Sequence, residues 1–140
     1  MKKIASTVIA TVMLVLCFML SACGNKYTSH YSATLMVRTN TLHEASVSFS
    51  NFSGIYVMKL KNIGDEKAFI TYNATLEEGN IKVYYDFNNE KLNLFEIGTD
   101  GSIEGKTEAF TSNKTIYIII ESDGKCNVGS FSFALEKSEW

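Results

Sequence analysis

Apolar and polar residues alternate with a period of two through most of the chain after Ser32. Every second residue of Ala45–Ser50 is a serine, and Ser130–Leu135 alternates small residues with phenylalanine and leucine. Successive side chains of a strand point to opposite sides of a sheet, so this period indicates strands with one buried face. No segment keeps the 3.6-residue period of a helix beyond a turn or two. The pattern therefore predicts an all-β domain.

Turn-forming residues separate the alternating runs at intervals of roughly ten residues, the spacing typical of sandwiches and barrels. The chain contains no proline, so its reversals must be made by Gly, Asn, Asp and Ser. The predicted turns lie at Gly64-Asp65, Glu78-Gly79-Asn80, Asn88-Asn89, Asp100-Gly101, Ser112-Asn113 and Asp123-Gly124. We predict an antiparallel β-sandwich, jelly-roll-like, of eight or nine short strands. A closed barrel and an immunoglobulin-type sandwich also fit the pattern.

One predicted strand differs from the others because it is apolar on both sides. The run Ile116–Ile120 contains four isoleucines and Tyr117 and no polar side chain apart from the tyrosine hydroxyl. A strand covered on both faces has this composition. We therefore expect it in the middle of a sheet.

The first two dozen residues have a different character. Lys2 and Lys3 precede the apolar run Ile4–Leu20, which ends in Leu20-Ser21-Ala22-Cys23. A basic start, a short apolar stretch and a small-residue end are the pattern of a signal peptide. The end resembles the lipobox of bacterial lipoproteins. The resemblance implies cleavage between Ala22 and Cys23, lipid on Cys23, and a location on the outer side of the cytoplasmic membrane.

The alternative for the same segment is an uncleaved membrane anchor. A spanning helix needs about 20 apolar residues, and this run is slightly shorter and interrupted by Ser6, Thr7 and Thr11. We therefore divide the chain into a signal peptide (1–22), a lipidated cysteine with a short tether (23–31) and a single β-sandwich domain (32–140).

The charge balance of the mature chain limits its partners. The leader holds two of the 13 basic residues and none of the 15 acidic ones, which leaves 11 against 15, a net charge of −4. This balance argues against nucleic acid and against electrostatic adhesion to anionic lipid. We expect attachment to the membrane through the lipid on Cys23. Cys126 is then the one remaining thiol, interpreted as a loop or partly buried thiol rather than a reactive one.

The last third of the chain suggests a family. The segment Thr115–Glu136, TIYIIIESDGKCNVGSFSFALE, has an apolar strand, a glycine-containing loop and a strand that starts with Gly-Ser and alternates. It resembles the closing hairpin of bacterial prepeptidase C-terminal-type jelly-roll domains, and Gly79-Asn80-Ile81 and Leu92–Leu94 fit the same scheme. The resemblance implies an accessory β-sandwich domain and supplies no catalytic residue.

Residues with catalytic or metal-binding chemistry are few and scattered. His30, His43 and Glu44 form the best candidate cluster, but His43 and Glu44 are neighbours that point to opposite faces of a strand, and no third ligand has useful spacing. Each of the acids next to glycine is better explained by turn formation than by a calcium site, which needs six to eight oxygens. These acids are Asp65, Asp100 and Asp123. We predict no metal, no cofactor and no enzymatic activity.

Aromatic residues on polar strand faces are the more useful candidates for ligand binding. Tyr84 lies opposite the face of Tyr85, Tyr117 lies on the less apolar side of its strand, and Trp140 is the last residue. Exposed rings stack on sugars or contact partner proteins. The same positions also suit a sheet covered on both faces, which would bury Tyr84 and Tyr117.

Three functions remain open at this point. The first is non-enzymatic binding of a protein partner or an envelope component, because serine-rich faces and edge strands suit strand addition. The second is a carbohydrate-binding module, which requires a row of exposed rings. The third is a small hydrolase, which requires a pocket with a perturbed acid or histidine.

Overall fold

The structure is a computed structural model that describes residues 27–61, 67–111 and 115–138. Its regular structure is ten β-strands. These are β1 (His30–Thr34), β2 (Val37–Asn40), β3 (Glu44–Lys61), β4 (Lys67–Glu78), β5 (Ile81–Asp86), β6 (Leu92–Ile97), β7 (Gly101–Lys106), β8 (Phe110–Thr111), β9 (Thr115–Ser122) and β10 (Cys126–Lys137). Within the described ranges, no helix has the length and apolar character needed to cross a membrane.

Two layers share the long strand β3. Through Phe52 this strand pairs with β10, and from Ile55 onward it pairs with β9. The β10 layer consists of the first half of β3 with β10, β4 and β7, and it is extended by β1 and β2 beside β3 and by β8 beside β4. The β9 layer consists of the second half of β3 with β9, β5 and β6. All pairings are antiparallel, so the predicted all-β antiparallel sandwich is confirmed.

Gly54 marks the change of partner along β3. Its φ of +117° lies in a region that other residues rarely adopt, and a Cβ here would lie 2.2 Å from the carbonyl oxygen of His30. Its N–H donates to the hydroxyl of Ser122 at 2.7 Å. A glycine is therefore required where β1 pairs closely beside β3 and β3 passes from one layer to the other.

The core fills the space between the two layers. Phe95 of β6 stacks on Tyr72 of β4 with ring centroids 4.8 Å apart, and it lies 6.4 Å from the ring of Phe131 in β10. Such aromatic pairs contribute about 0.5–1.5 kcal/mol each beyond the area that they bury. Cross-layer contacts of this kind hold the inner faces together as a sandwich.

The prediction for Ile116–Ile120 is confirmed in its main point. This strand, β9, lies between β3 and β5, and its four isoleucines are each at most 1% exposed. The predicted turns at Gly79, Asn89, Asp100 and Gly124 are also confirmed, because each of these residues has a positive φ. The turns predicted at Gly64-Asp65 and Ser112-Asn113 lie outside the described residues.

The number and length of the strands differ from the prediction. The runs Ala45–Ser50 and Tyr56–Lys61 belong to the single 18-residue strand β3. The strand changes its pairing partner at Gly54, but the chain does not turn back there. The predicted tether also ends earlier than expected, since β1 begins at His30. The described residues form ten strands rather than eight or nine because of β1, β2 and β8, which are short and lack a clear alternation.

Candidate functional site

The two predicted tyrosines lie on the outer face of the β9 layer, which we call the tyrosine face. Lys59, Tyr117 and Asp86 are aligned across β3, β9 and β5, and the next row contains Val57, Ile119 and Tyr84. Antiparallel partners point to the same side of a sheet, so Tyr84 and Tyr117 share this face on adjacent strands. Trp140, the third candidate, lies outside the described residues.

Other side chains of the protein already contact the rings of Tyr84 and Tyr117. The ammonium of Lys91 lies 4.2 Å from the ring centroid of Tyr84, and the same ammonium pairs with Glu121 at 2.8 Å. Ile119, which pairs with Tyr84 and follows Tyr117 by two residues, is only 1% exposed although it points outward. The tyrosine face is therefore a covered surface rather than an open row of rings.

Tyr27 contributes to this cover from the segment before β1. Its ring meets the ring of Tyr117 edge to face at 5.2 Å, and its hydroxyl donates to the Asp86 carboxylate at 2.6 Å. Asp86 is only 2% exposed. Burial, this hydrogen bond and the negative charge of Asp86 raise the pKa of Tyr27 to about 12. The phenol therefore stays protonated and keeps donating at neutral pH.

The opposite outer face, on the β10 layer, is rich in hydroxyl groups and carries a depression. One row of the register crosses five strands as Thr39, Ser46, Ser132, Asn73 and Glu104. A depression of about 360 Å³ lies over β10, between residues of β2 and β3 on one side and Thr71 of β4 on the other. The outward side chains of β10 in its lining, Ser132 and Ala134, are both small.

A second and larger depression lies on the same face. Its volume is about 1000 Å³, and its lining includes Phe69, Lys106, Glu108, Glu136 and Lys137. Phe69 projects outward from β4, since Ala68 and Ile70 on either side are buried. Its ring is half-buried, and the Lys106 ammonium lies 5.4 Å from its centroid.

The two depressions lie on the same outer face of the sandwich, and we call them together the outer groove. Phe69 and Thr71 are two positions apart on the same side of β4, and their partners on β10, Glu136 and Ala134, are equally spaced. Phe69 belongs to the second depression, and Thr71 belongs to the first. The groove therefore crosses the strands from β2 to β7, four inter-strand spacings or about 19 Å.

Sequence reasoning missed Phe69, although the sequence carries a signal for it. The outward positions of β4 read Thr71, Asn73 and Thr75, and the same period places Phe69 on that polar side. A large apolar residue in a polar row is the informative exception to a strand pattern. Its position beside Glu136 and Lys106 depends on register, which the alternation does not provide.

The histidines and acids do not form a reactive cluster. His30 is paired with Ile55, whereas His43 precedes the start of β3, so most of this strand separates them. Asp100 and Asp123 lie in turns, where their N–H groups donate to the carbonyls of Glu77 and Asn80. No group of three or more metal-binding side chains occurs among the described residues. Asp65 lies outside them.

Cys126 is a buried residue of β10 and not a loop thiol. It is 0% exposed, and its thiol donates weakly to the carbonyl oxygen of Asn80 at 3.5 Å. Burial is the main cause that raises the pKa of the thiol. The thiol is therefore held away from solvent in its protonated, unreactive form.

Comparison with known proteins identifies the fold. No protein-family model matches the chain, and no curated protein matches it either. TmCBM61, solved in complex with β-1,4-galactotriose, superposes with a TM-score of 0.52 at 15% identity over 82% of this chain and 92% of its own. CsCBM6-3 from Clostridium stercorarium, solved with cellobiose, has a TM-score of 0.43 at 12% identity over 81% of this chain and 89% of its own. The likeness to TmCBM61 shows a common β-sandwich fold.

Proposed function

We propose that this protein binds a glycan without catalysis, in the outer groove. The observation that carries the proposal is the half-buried ring of Phe69 in the lining of a groove that also presents hydroxyl, carboxylate and ammonium groups. Sugars present C–H groups on their ring faces and hydroxyls at their edges. A ligand of this kind is recognised by an aromatic surface together with a small number of placed polar groups.

The polar groups of the groove suit a neutral, hydroxyl-rich chain. Lys106 and Lys137 are balanced by Glu108 and Glu136 around Phe69, so this half of the groove carries no net formal charge. Ser46, Ser132 and Thr71 line the other half together with Glu44. Hydroxyls both donate and accept hydrogen bonds, and carboxylates accept them, which covers the edge of a sugar ring.

The fold is compatible with this proposal. TmCBM61, whose sandwich this chain shares, was solved with a bound galactotriose. A fold by itself does not determine function, because one fold carries many unrelated sites. The comparison therefore supports the proposal only together with the groove and its aromatic residue.

Affinity electrophoresis tests the proposal. The mature protein is run through gels that contain galactan, xylan, mannan or soluble peptidoglycan fragments, and we expect retardation in at least one. Phe69→Ala should weaken that binding at least about tenfold, about 1.4 kcal/mol, with an unchanged melting temperature. The matched variant Tyr84→Ala removes a ring from the opposite face and should bind normally.

Two outcomes would contradict this assignment. Retardation by none of these polymers would overturn glycan binding. Loss of binding in Tyr84→Ala or Tyr117→Ala, with Phe69→Ala intact, would move the site to the tyrosine face.

We also propose that the mature protein is anchored by lipid on Cys23, after removal of residues 1–22. The lipobox-like end of the leader supports this proposal, and two acyl chains suffice for stable anchoring where one does not. Cys23→Ser should release the protein into the soluble fraction or leave an unprocessed precursor. An unchanged membrane fraction and unchanged mature mass in that variant would contradict it.

A second candidate function is the binding of a protein partner at the edge strand β2. All four residues of β2 are exposed, and Leu35 and Leu42 on either side of it are 82% and 57% exposed. An exposed edge with apolar neighbours suits strand addition. Asn40→Pro removes a backbone N–H that points away from β3 and would block pairing at this edge. Pull-downs from membranes that lose their partner with this variant would favour the second candidate.

A further inference from the structure

The segment before β1 is fixed to the side of the domain and does not leave it freely. The N–H of Val57 donates to the hydroxyl of Ser29 at 2.9 Å, so the chain continues beside β3 past the start of β1. Two residues earlier, Tyr27 contacts Tyr117 and Asp86 on the tyrosine face. We call Tyr27–Ser29 the strap.

The strap brings the predicted lipid close to the tyrosine face. Cys23 precedes Tyr27 by four residues, and a fully extended chain spans at most about 3.6 Å per residue. The Cα atoms of Cys23 and Tyr27 are therefore no more than about 14 Å apart. As long as the hydrogen bond between Tyr27 and Asp86 is intact, a lipid on Cys23 keeps the tyrosine face close to the bilayer surface.

The side chains of the tyrosine face suit the polar region of a bilayer. Tyrosine has an apolar ring and a polar hydroxyl, and lysine has an apolar stem and a charged end. Both side chains are therefore favoured at the membrane–water interface. The face carries Tyr27, Tyr84 and Tyr117, and Lys59, Lys82 and Lys91.

The acidic side chains of this face are engaged within the protein. Asp86 accepts from Tyr27 at 2.6 Å, Glu121 pairs with Lys91 at 2.8 Å, and Glu96 lies 3.9 Å from Lys82. Internal pairing reduces the repulsion that these carboxylates would have for lipid phosphates.

We propose that the tyrosine face lies against the phospholipid headgroups, held there by the strap and the lipid on Cys23. The proposal rests on the proposed lipidation and is independent of glycan binding. The outer groove lies on the other face of the sandwich, and the domain therefore presents the groove away from the membrane.

Energy transfer from two labelled positions tests this orientation. Lys82→Cys places a fluorescent donor on the tyrosine face, and Ser130→Cys places the same donor on the face of the outer groove. The lipidated protein is reconstituted into phosphatidylcholine vesicles that contain a headgroup-labelled rhodamine acceptor. We expect the Lys82→Cys donor to transfer at least twofold more efficiently than the Ser130→Cys donor. Adding Asp86→Asn, which weakens the strap, should reduce this difference.

The outcomes separate the three proposals. Equal transfer from the two sites, or more transfer from Ser130→Cys, in protein that floats with the vesicles overturns the orientation while the lipid anchor stands. Unmodified protein that fails to float overturns the anchor and the orientation together. Glycan binding is measured on detergent-solubilised protein and is decided by neither result.

Discussion

Tyr27 and Asp86 are 59 positions apart in the sequence, and the hydroxyl of Tyr27 donates a 2.6 Å hydrogen bond to the carboxylate of Asp86. Asp86 is the last residue of β5, and its partner in the register is Tyr117. A buried carboxylate is costly unless it is hydrogen-bonded, so the tyrosine from the strap satisfies a group that the sandwich leaves at its surface. This contact joins the segment near the predicted lipid to the folded domain.

A double-mutant cycle should measure this coupling. Tyr27→Phe keeps the ring on Tyr117 and removes only the hydroxyl, and we expect a loss of about 1–2 kcal/mol in the free energy of unfolding, since the acceptor is charged. Asp86→Asn should cost a similar amount. The double variant should cost less than the sum, because both changes remove one interaction. Urea denaturation checks this, and strict additivity would show that the pair is not coupled.

The ionisation of Tyr27 should make the free energy of unfolding depend on pH in the alkaline range. The folded-state pKa is raised from 10.0 to about 12, so the folded protein holds this proton more tightly than the unfolded chain. The contribution is therefore complete below pH 10 and declines as the pH rises from 10 toward 12. Absorbance at 295 nm should show a phenol that titrates near pH 12 in the folded protein. Tyr27→Phe should remove that phase, and its persistence would assign it to another tyrosine.

The sequence predicts which way the side chains of a strand point better than it predicts their neighbours. The outward direction of Tyr84 and Tyr117 follows from the alternation, because Tyr85, Ile116 and Ile118 take the inward positions. Whether a ligand can reach them depends on Tyr27, which comes from a segment without a strand pattern. A period-two pattern contains no information about such a distant contact.

The outer groove could not be predicted for a related reason. It exists because β10 packs between β3 and β4, which brings Ser132 between Ser46 and Asn73. β10 is far from β3 and β4 in the chain, and its place between these two consecutive strands is set by crossover connections and not by local composition. The strands themselves are local features, which is why the fold class was predictable.

Substitutions at two glycines should distinguish crowding from backbone strain. Gly54→Ala introduces a Cβ that would lie 2.2 Å from the carbonyl oxygen of His30, at a φ of +117°. Gly124→Ala has a positive φ of +77° but meets nothing within 4 Å. We expect about 1 kcal/mol of destabilisation for Gly124→Ala and well over about 2 kcal/mol for Gly54→Ala. Thermal denaturation measures both, and similar losses would show that β1 shifts easily away from β3 at this position.

Cys126 should behave as a structural residue that reports unfolding. Its thiol is buried beside Gly79, where an added Cβ would lie only 2.5 Å from the sulfur. Thiol reagents attack the thiolate, and burial both shields this group and raises its pKa. Mature protein that carries the proposed lipid on Cys23 should therefore react with Ellman's reagent very slowly at pH 8 and rapidly in guanidinium chloride.

The matching variants separate packing from reactivity at this position. Cys126→Ala keeps a small apolar side chain and should cost about 1 kcal/mol, whereas Gly79→Ala forces a Cβ against the sulfur at a φ of +116° and should cost more. If the turn at Gly79 is loosened by that substitution, the Ellman reaction of the native protein should accelerate. Rapid reaction of the unmodified native protein would instead identify Cys126 as an accessible thiol, contrary to its burial in β10.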